Sequence, residues 1–592
     1  MYKVKVTLVN PNFEEKYMSS LLQYRGVDDL MSFLSPSSCM IQHPKFLENI
    51  EKGALLLKHT LELDKEILIV VDSDCDGFTS AAIIYQYIKD LRPEAKIDYV
   101  LHSGKQHGLE DHITKLMEQG EKYGLIILPD SSSNDYEYHD MLKEINAPCL
   151  VLDHHEVDKP IFSNNAVVIN NQLSSLYRNK ELTGAGVTYQ FCKYLDEFFH
   201  QNYARKYADL AALGIIGDMG SVLEPENRAL IFDGIIYPTN NYLLNAMYEK
   251  QAYSITGDSY PSADKMNKKL TPTSIAFYIV PLINAMIRMG TQEEKERLFL
   301  GFINGEKLIP SKKRGAKGAL EKVAIETIRE CTNAKNRQNK TKEEAIERME
   351  YKICKYDLLS NKVLFIRLDD DDKFPSELNG LIAMGLSAKY KKPTIVARLN
   401  DEGFIRGSAR GVNDSELDDF KTFLLESELF EYAQGHKQAF GMSIPNKNLD
   451  DFHKYANRVL ENVDFNETCY NVNFKRHATA LDLSTMIMEV GEWDKLWGQK
   501  NPQPLIYVED ININKNDINI CGARNDTLRF EKNGVTYIKF FAKDMIKQLQ
   551  EIDGDIKINI VGKMAVNEWN GMRTPQIILQ DYEIKENSIL DF

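Results

Sequence analysis

From about residue 65 to 155, short apolar runs alternate with stretches of helical periodicity. ILIVV (67–71) leads to Asp72, IDYVL (97–101) to His102, GLIIL (124–128) to Asp130 and CLVL (149–152) to Asp153. Short β-branched runs separated by amphipathic helices predict βαβ units and a parallel sheet covered on both faces. Ligands of such sheets bind outside the carboxyl ends of the strands, so these polar residues should converge on one crevice. Residues 183–300 read as mostly helical. A second α/β pattern runs from KVLFIRL (362–368) to about 465, and after 470 it gives way to short strands with turn signals. Asn533-Gly534 is a strong hairpin dipeptide. Mostly strand, with one helix near 542–551, the C-terminal stretch predicts a small barrel.

At 592 residues, 43% hydrophobic and 27% charged, the chain is an ordinary globular protein of about three to five folded units, which excludes a disordered, collagenous or disulfide-stapled class. Eight cysteines stand singly, without metal-knuckle pairs, which fits a reducing compartment. The N-terminus lacks an apolar signal core, and no run approaches 18 uninterrupted apolar residues. A cytoplasmic location is expected. The formal charge of −15 argues against a polyanionic partner. Residues 311–342 reverse that locally, with ten Lys/Arg and three Glu, and read as a basic helix followed by a polar linker.

The chemistry sits in four motifs. DSDCDGFTS places Asp72, Asp74 and Asp76 between a strand and a helix; taken alone, it is as well read as a solvated turn. An EF-hand is excluded, because its terminal Glu is missing and a strand precedes the loop. Asp130 in LPDSSSND and Asp153-His154-His155 in VLDHHEVD add further polar strand ends. Gathering like charges is costly unless a cation compensates. With Asp218 in GIIGDMGSV, these residues supply enough ligands for two divalent ions sharing a carboxylate.

In order and spacing the four motifs resemble those of the DHH phosphoesterase family, and the rest resembles its RecJ-like branch of single-strand-specific exonucleases. TPTSIAFYIVPLINAMIRMG, RGSARG (406–411), QGHKQAFG (434–441), KLWGQKNPQP (495–504) and NEWNG (567–571) carry the remaining likeness. The resemblance implies an α/β multidomain chain. Residues 1–55 would pack on a parallel-sheet DHH catalytic domain (56–310). A basic connecting helix and linker (311–345), an α/β DHH-associated substrate-binding domain (346–469) and an OB-like β-barrel (470–592) would follow. It implies two Mn²⁺ or Mg²⁺ ions on Asp74, Asp76, Asp130, His154 and Asp218. Asp130 would bridge, Asp76, His154 and Asp218 would share one ion, Asp72 and His155 would support or complete the sites, and Asp153 would orient a histidine. The glycine usual two residues after the second-motif Asp is here Ser132, which predicts altered loop geometry without loss of activity. Gln434 and Phe440 depart from the usual Gly-Gly-His and Ala-Ala-Gly.

The same resemblance assigns Ser408, Arg410 and His436 to the 5′ end of the substrate, with Arg288 along its path. Lys105 and His107 stand at even odds between phosphate contacts and plain loop residues. TGAGVTY (183–189) lacks a dinucleotide fingerprint and reads as a close-packed helix start. Tyr507, Tyr537, Phe540, Phe541 and Trp569 include candidates for base stacking, though alternation sends about half of strand aromatics to the core. LDDDDK (368–373) fits a solvated loop. The leading function is a 5′→3′ exonuclease on single-stranded DNA in repair or recombination, acting as a monomer, with a single-strand-binding protein or helicase as partner. The alternatives are a phosphodiesterase for short oligonucleotides or cyclic dinucleotides, and a non-catalytic replication scaffold.

Overall fold

Ile67, Leu68, Ile69, Val70 and Val71 are all buried, as a strand covered on both faces requires. Ile67, Ile69 and Val71 enter one apolar core, and Leu68 and Val70 the other. This strand, β1 (Glu66–Val71), is an interior strand of a five-stranded parallel sheet with β2 (Ile97–Leu101), β3 (Tyr123–Pro129), β4 (Cys149–Asp153) and β5 (Ala166–Asn170), in the order β2-β1-β3-β4-β5. The chain reverses direction across the sheet between β1 and β3. Such a switch point is where doubly wound sheets open a crevice. Helices α1 (Cys75–Leu91), α2 (Gly184–Phe199) and α3 (Ala208–Gly217) contribute to the first core. The apolar stretch Pro272–Met289 forms two helices, Pro272–Tyr278 and Val280–Met289, with Ile275, Ile283 and Met286 in that core.

The computed structural model describes residues 4–9, 16–104, 106–157, 161–369, 371–412, 415–465, 468–522, 524–552, 554–569 and 571–585. Two units divide the chain: 29–338 with 494–502, and 1–28 with 339–493 and 503–592. The first 55 residues therefore do not form one segment on the catalytic domain. Val4–Leu8 pairs in parallel with Thr468–Val472, and the Tyr17 hydroxyl donates to Asp482 at 2.9 Å. Leu47, Ile50, Ala54 and Leu57 instead pack in the catalytic core.

The expected polar linker is also different. Residues 308–310 and 320–322 form a hairpin, and a single helix then runs from Val323 to Lys355. Ile328, Cys331 and Ala334 pack in the catalytic core, while Ala345, Met349 and Ile353 continue a buried stripe at four-residue spacing. Half of the basic residues of 311–342 are answered by acid: Lys312, Lys322, Arg329, Arg337 and Lys340 each pair with a glutamate.

In the second unit, 432–436, 439–445, 404–410, 394–399 and 364–368 form a five-stranded sheet in that order. A seven-stranded sheet occupies the C-terminal part. Within it Asn533 and Gly534 have φ of 51° and 73° and join Thr527–Lys532 to Val535–Lys539. Positive φ at both positions is what the tight turn requires.

Candidate metal centre

The carboxyl ends of β1, β3 and β4 deliver the first three motifs to one edge. Asp72 follows β1, and Asp74 caps α1, its Oδ1 accepting from the Gly77 amide at 3.0 Å. Asp76, in the first turn of α1, is buried and held by the start of α2. Its Oδ2 accepts from the Gly184 amide at 2.7 Å, and its Oδ1 from the Ala185 amide and the Thr183 hydroxyl, each at 3.0 Å. TGAGVTY is thus a close-packed helix start, as its composition suggested, but one whose free amides fix a carboxylate. That contact spans more than 100 residues of sequence, and nothing in the local pattern points to it.

Asp130 follows β3 with φ of +68° and is buried. Its Oδ1 has no hydrogen-bond partner and stands 3.2 Å from His154 Nε2. Asp218 ends α3, and its Oδ2 is 3.6 Å from the same nitrogen. Ligand atoms of Asp76, His154 and Asp218 lie within 4.8 Å of one another, and so do those of Asp72, Asp74 and Asp130. Asp130, Asp153, His154 and His155 form a third such group, which shares His154 with the first and Asp130 with the second and so joins them.

Asp153 does different work. Its Oδ1 accepts from the His154 amide at 2.7 Å and lies 2.7 Å from His155 Nδ1, while Oδ2 accepts from the Ser133 amide at 3.0 Å. These contacts tie it to His155 and to the turn that carries His154.

Electrostatics describe an anionic pocket short of counter-charge. Burial and the neighbouring Asp74 raise Asp76 to about 6. Burial, Asp76 and Asp74 raise Asp218 to about 8. Asp130 is pushed well up by burial and then by Asp76 and Asp74. Burial, with His155 beside it, lowers His154 to about 4, keeping the imidazole neutral and able to coordinate. Burial would lower His155 too, but its bond to Asp153 outweighs this and raises it to about 9. Buried carboxylates with an orphaned oxygen, beside a neutral imidazole, fit divalent cations of the Mg²⁺ and Mn²⁺ kind.

Arg288, on the helix Val280–Met289, is partly buried and feels the Asp74 charge. His107 contacts Asp72, its Nδ1 lying 2.5 Å from Oδ2. Lys105 lies outside the described residues. Ser408, Arg410 and His436 belong to the other unit. There Arg410 and His436 both register with Ala439, which puts them in one row of the sheet with Ser408 two residues along the strand. Phe440 is buried and packs on Phe420 at 5.5 Å, which explains a large residue at that position. Asp369 and Asp372 of LDDDDK pair with Lys352. Tyr507 and Tyr537 are buried, whereas Phe540 and Phe541 are exposed; the Trp569 side chain lies outside the described residues.

The DHH family, N-terminal domain, model matches residues 66–215, and the RecJ OB domain model matches 479–581. The sheet with the acidic edge is therefore a DHH-family domain, and an OB domain follows it along the chain. A Bacillus subtilis SPbeta prophage-derived relative, YorK, provisionally named a single-strand DNA-specific exonuclease, is 33% identical over 96% of both chains. The Bacillus subtilis single-stranded-DNA-specific exonuclease RecJ is 24% identical over 97% of this chain and 69% of its own. The crystal structure of Thermus thermophilus RecJ with Mn²⁺ superposes with a TM-score of 0.72 at 19% identity, covering 99% of this chain and 80% of that one. The chain belongs to the RecJ-like branch of the DHH family.

Proposed function

We propose that this chain is a 5′→3′ exonuclease specific for single-stranded DNA. It uses two divalent ions, Mn²⁺ or Mg²⁺, releases 5′-mononucleotides, and acts in DNA repair or recombination. The observation that carries the proposal is the pair of adjacent ligand sets, Asp76/His154/Asp218 and Asp72/Asp74/Asp130, joined by the 3.2 Å approach of Asp130 to His154. Asp76, His154 and Asp218 would hold one ion, Asp72 and Asp74 the other, and Asp130 both. Two ions so held supply Lewis acidity for activating water and for neutralising charge on the phosphodiester. Asp153 keeps His155 and the His154 turn in register. Arg288 offers a fixed positive charge beside Asp74. Arg410, Ser408 and His436 supply a guanidinium, a hydroxyl and an imidazole suited to a terminal phosphate. The names of the two Bacillus relatives agree in substrate class, and the Mn²⁺ in the Thermus structure agrees in cofactor.

The test is a time course on 5′- and 3′-labelled oligonucleotides with each end blocked in turn. Blocking the 5′ end should stop degradation and blocking the 3′ end should not; the reverse would overturn the polarity. Turnover confined to dinucleotides would favour the short-oligonucleotide reading. A helicase or single-strand-binding protein is the proposed supplier of substrate.

A further inference from the structure

The sequence left His107 between a phosphate contact and a plain loop residue. Its position adds a third role. His107 Nδ1 is 2.5 Å from Oδ2 of Asp72, the buried carboxylate at the end of β1. The other oxygen, Asp72 Oδ1, is buried without a hydrogen-bond partner, and Asp72 belongs with Asp74 and Asp130 to a set of ligand atoms within 4.8 Å. One oxygen is thus clamped and the other left for coordination. The loop that carries His107 is itself pinned. Lys295, buried on the helix Gln292–Asn304, donates to the Ser103 carbonyl at 2.9 Å, and the Ser73 hydroxyl to the Gly104 carbonyl at 3.1 Å. On the far side the Leu109 amide donates to Asp135 at 3.0 Å, next to Gly108 with φ of +71°. The imidazole is delivered to Asp72 by a framework tied down on both sides of it.

We propose that His107 is a positioning residue for the Asp72/Asp74/Asp130 ion. By donating from Nδ1 to Asp72 Oδ2 it commits Oδ1 to the metal and tightens that site relative to its neighbour. The proposal rests on the two-ion reading above. Partners of this kind typically contribute 10–100-fold in metal affinity.

The experiment is calorimetric titration of Mn²⁺ into the metal-stripped full chain, with Mn²⁺ paramagnetic resonance to detect a coupled pair. Wild type should bind two ions. His107→Ala should weaken one by about 10–100-fold, leave the other unchanged and abolish the coupled signal at limiting Mn²⁺. His107→Asn, whose side-chain amide can donate to Asp72, should recover most of the lost affinity. The metal-free melting temperature of both variants should match wild type. Two ions bound to His107→Ala at wild-type affinity would overturn the proposal. So would equal weakening of both sites without rescue by Asn, which would mark collapse of the loop. Asp130→Ala separates the two readings: wild-type Mn²⁺ binding by that variant defeats the two-ion centre itself, whereas loss of both ions there with an unaffected His107→Ala defeats only the role of His107.

Discussion

A Cβ placed on Gly184 would stand 2.2 Å from Asp130 Oδ1 and 2.6 Å from its Cβ. The start of α2 therefore closes on the central carboxylate as tightly as a backbone can. Because Asp130 is buried and borders both ligand sets, neither partner can yield without moving the centre. Gly184→Ala should destabilise the metal-free chain by about 1–3 kcal/mol through overpacking and weaken Mn²⁺ binding more than tenfold. Thermal melts and Mn²⁺ titration check this; a variant with both properties unchanged would show that the contact relaxes freely.

Binding of metal should release protons. At neutral pH Asp218, raised to about 8, holds a proton that coordination must displace, and burial beside Asp76 and Asp74 pushes Asp130 in the same direction. Titrations in buffers of different ionisation enthalpy should report proton release at pH 7, with Mn²⁺ affinity climbing as pH approaches 8. The metal-free chain should show the opposite trend in stability. Above the ordinary carboxylate range of about 4 the unfolded chain has lost these protons while the folded chain keeps them, so stability falls as pH rises to about 8. Saturating metal should abolish most of that fall between pH 7 and 8, above the range where the buried His102, His139 and His154, each lowered to about 4, act in the opposite sense; a metal-free melting temperature that rises from pH 7 to 8 would contradict it.

Ser132 occupies the position where the resembled motif has glycine, and it adopts the glycine-like φ of +79°. The loop geometry is thus held by a residue in a backbone region that favours glycine. Its buried hydroxyl has no hydrogen-bond partner to offset the strain. Ser132→Gly should stabilise the chain by roughly 0.5–1 kcal/mol, the αL penalty relieved less the added freedom of glycine when unfolded, with turnover retained. A lower melting temperature would refute this.

Phe540 and Phe541 are 50% and 84% exposed, in contrast to the buried Tyr507 and Tyr537. If they stack on bases, Phe541→Ala should raise the Kd for a single-stranded oligonucleotide by about tenfold, in line with 1–3 kcal/mol per stacked base. Fluorescence anisotropy would measure it, with kcat on saturating substrate unchanged; equal affinity in both proteins would remove Phe541 from the binding surface.

Much of the centre was legible because its ligands lie at strand ends. Asp72 and Asp130, with the supporting Asp153, each follow an apolar run, so the strand pattern predicted their convergence; the full ligand set came only with the family resemblance. What could not be read were contacts made across long stretches of sequence. Nothing near Asp76 announces that Thr183, Gly184 and Ala185 hold it, and nothing near His107 announces Asp72. Composition misled in one place. The polar stretch after residue 334 looked like a linker because its buried stripe is sparse, resuming at Ala345, Met349 and Ile353.

The most direct measurement compares wild type with Asp130→Ala on 5′-labelled single-stranded DNA in Mn²⁺ or Mg²⁺, using protein purified free of contaminating nuclease. Wild type should degrade the strand only when metal is present, and the variant should lose about a hundredfold to a thousandfold in rate, the range typical of losing a central transition-state contact. Full metal-dependent degradation by Asp130→Ala would contradict a catalytic centre built on the ends of β1, β3 and β4.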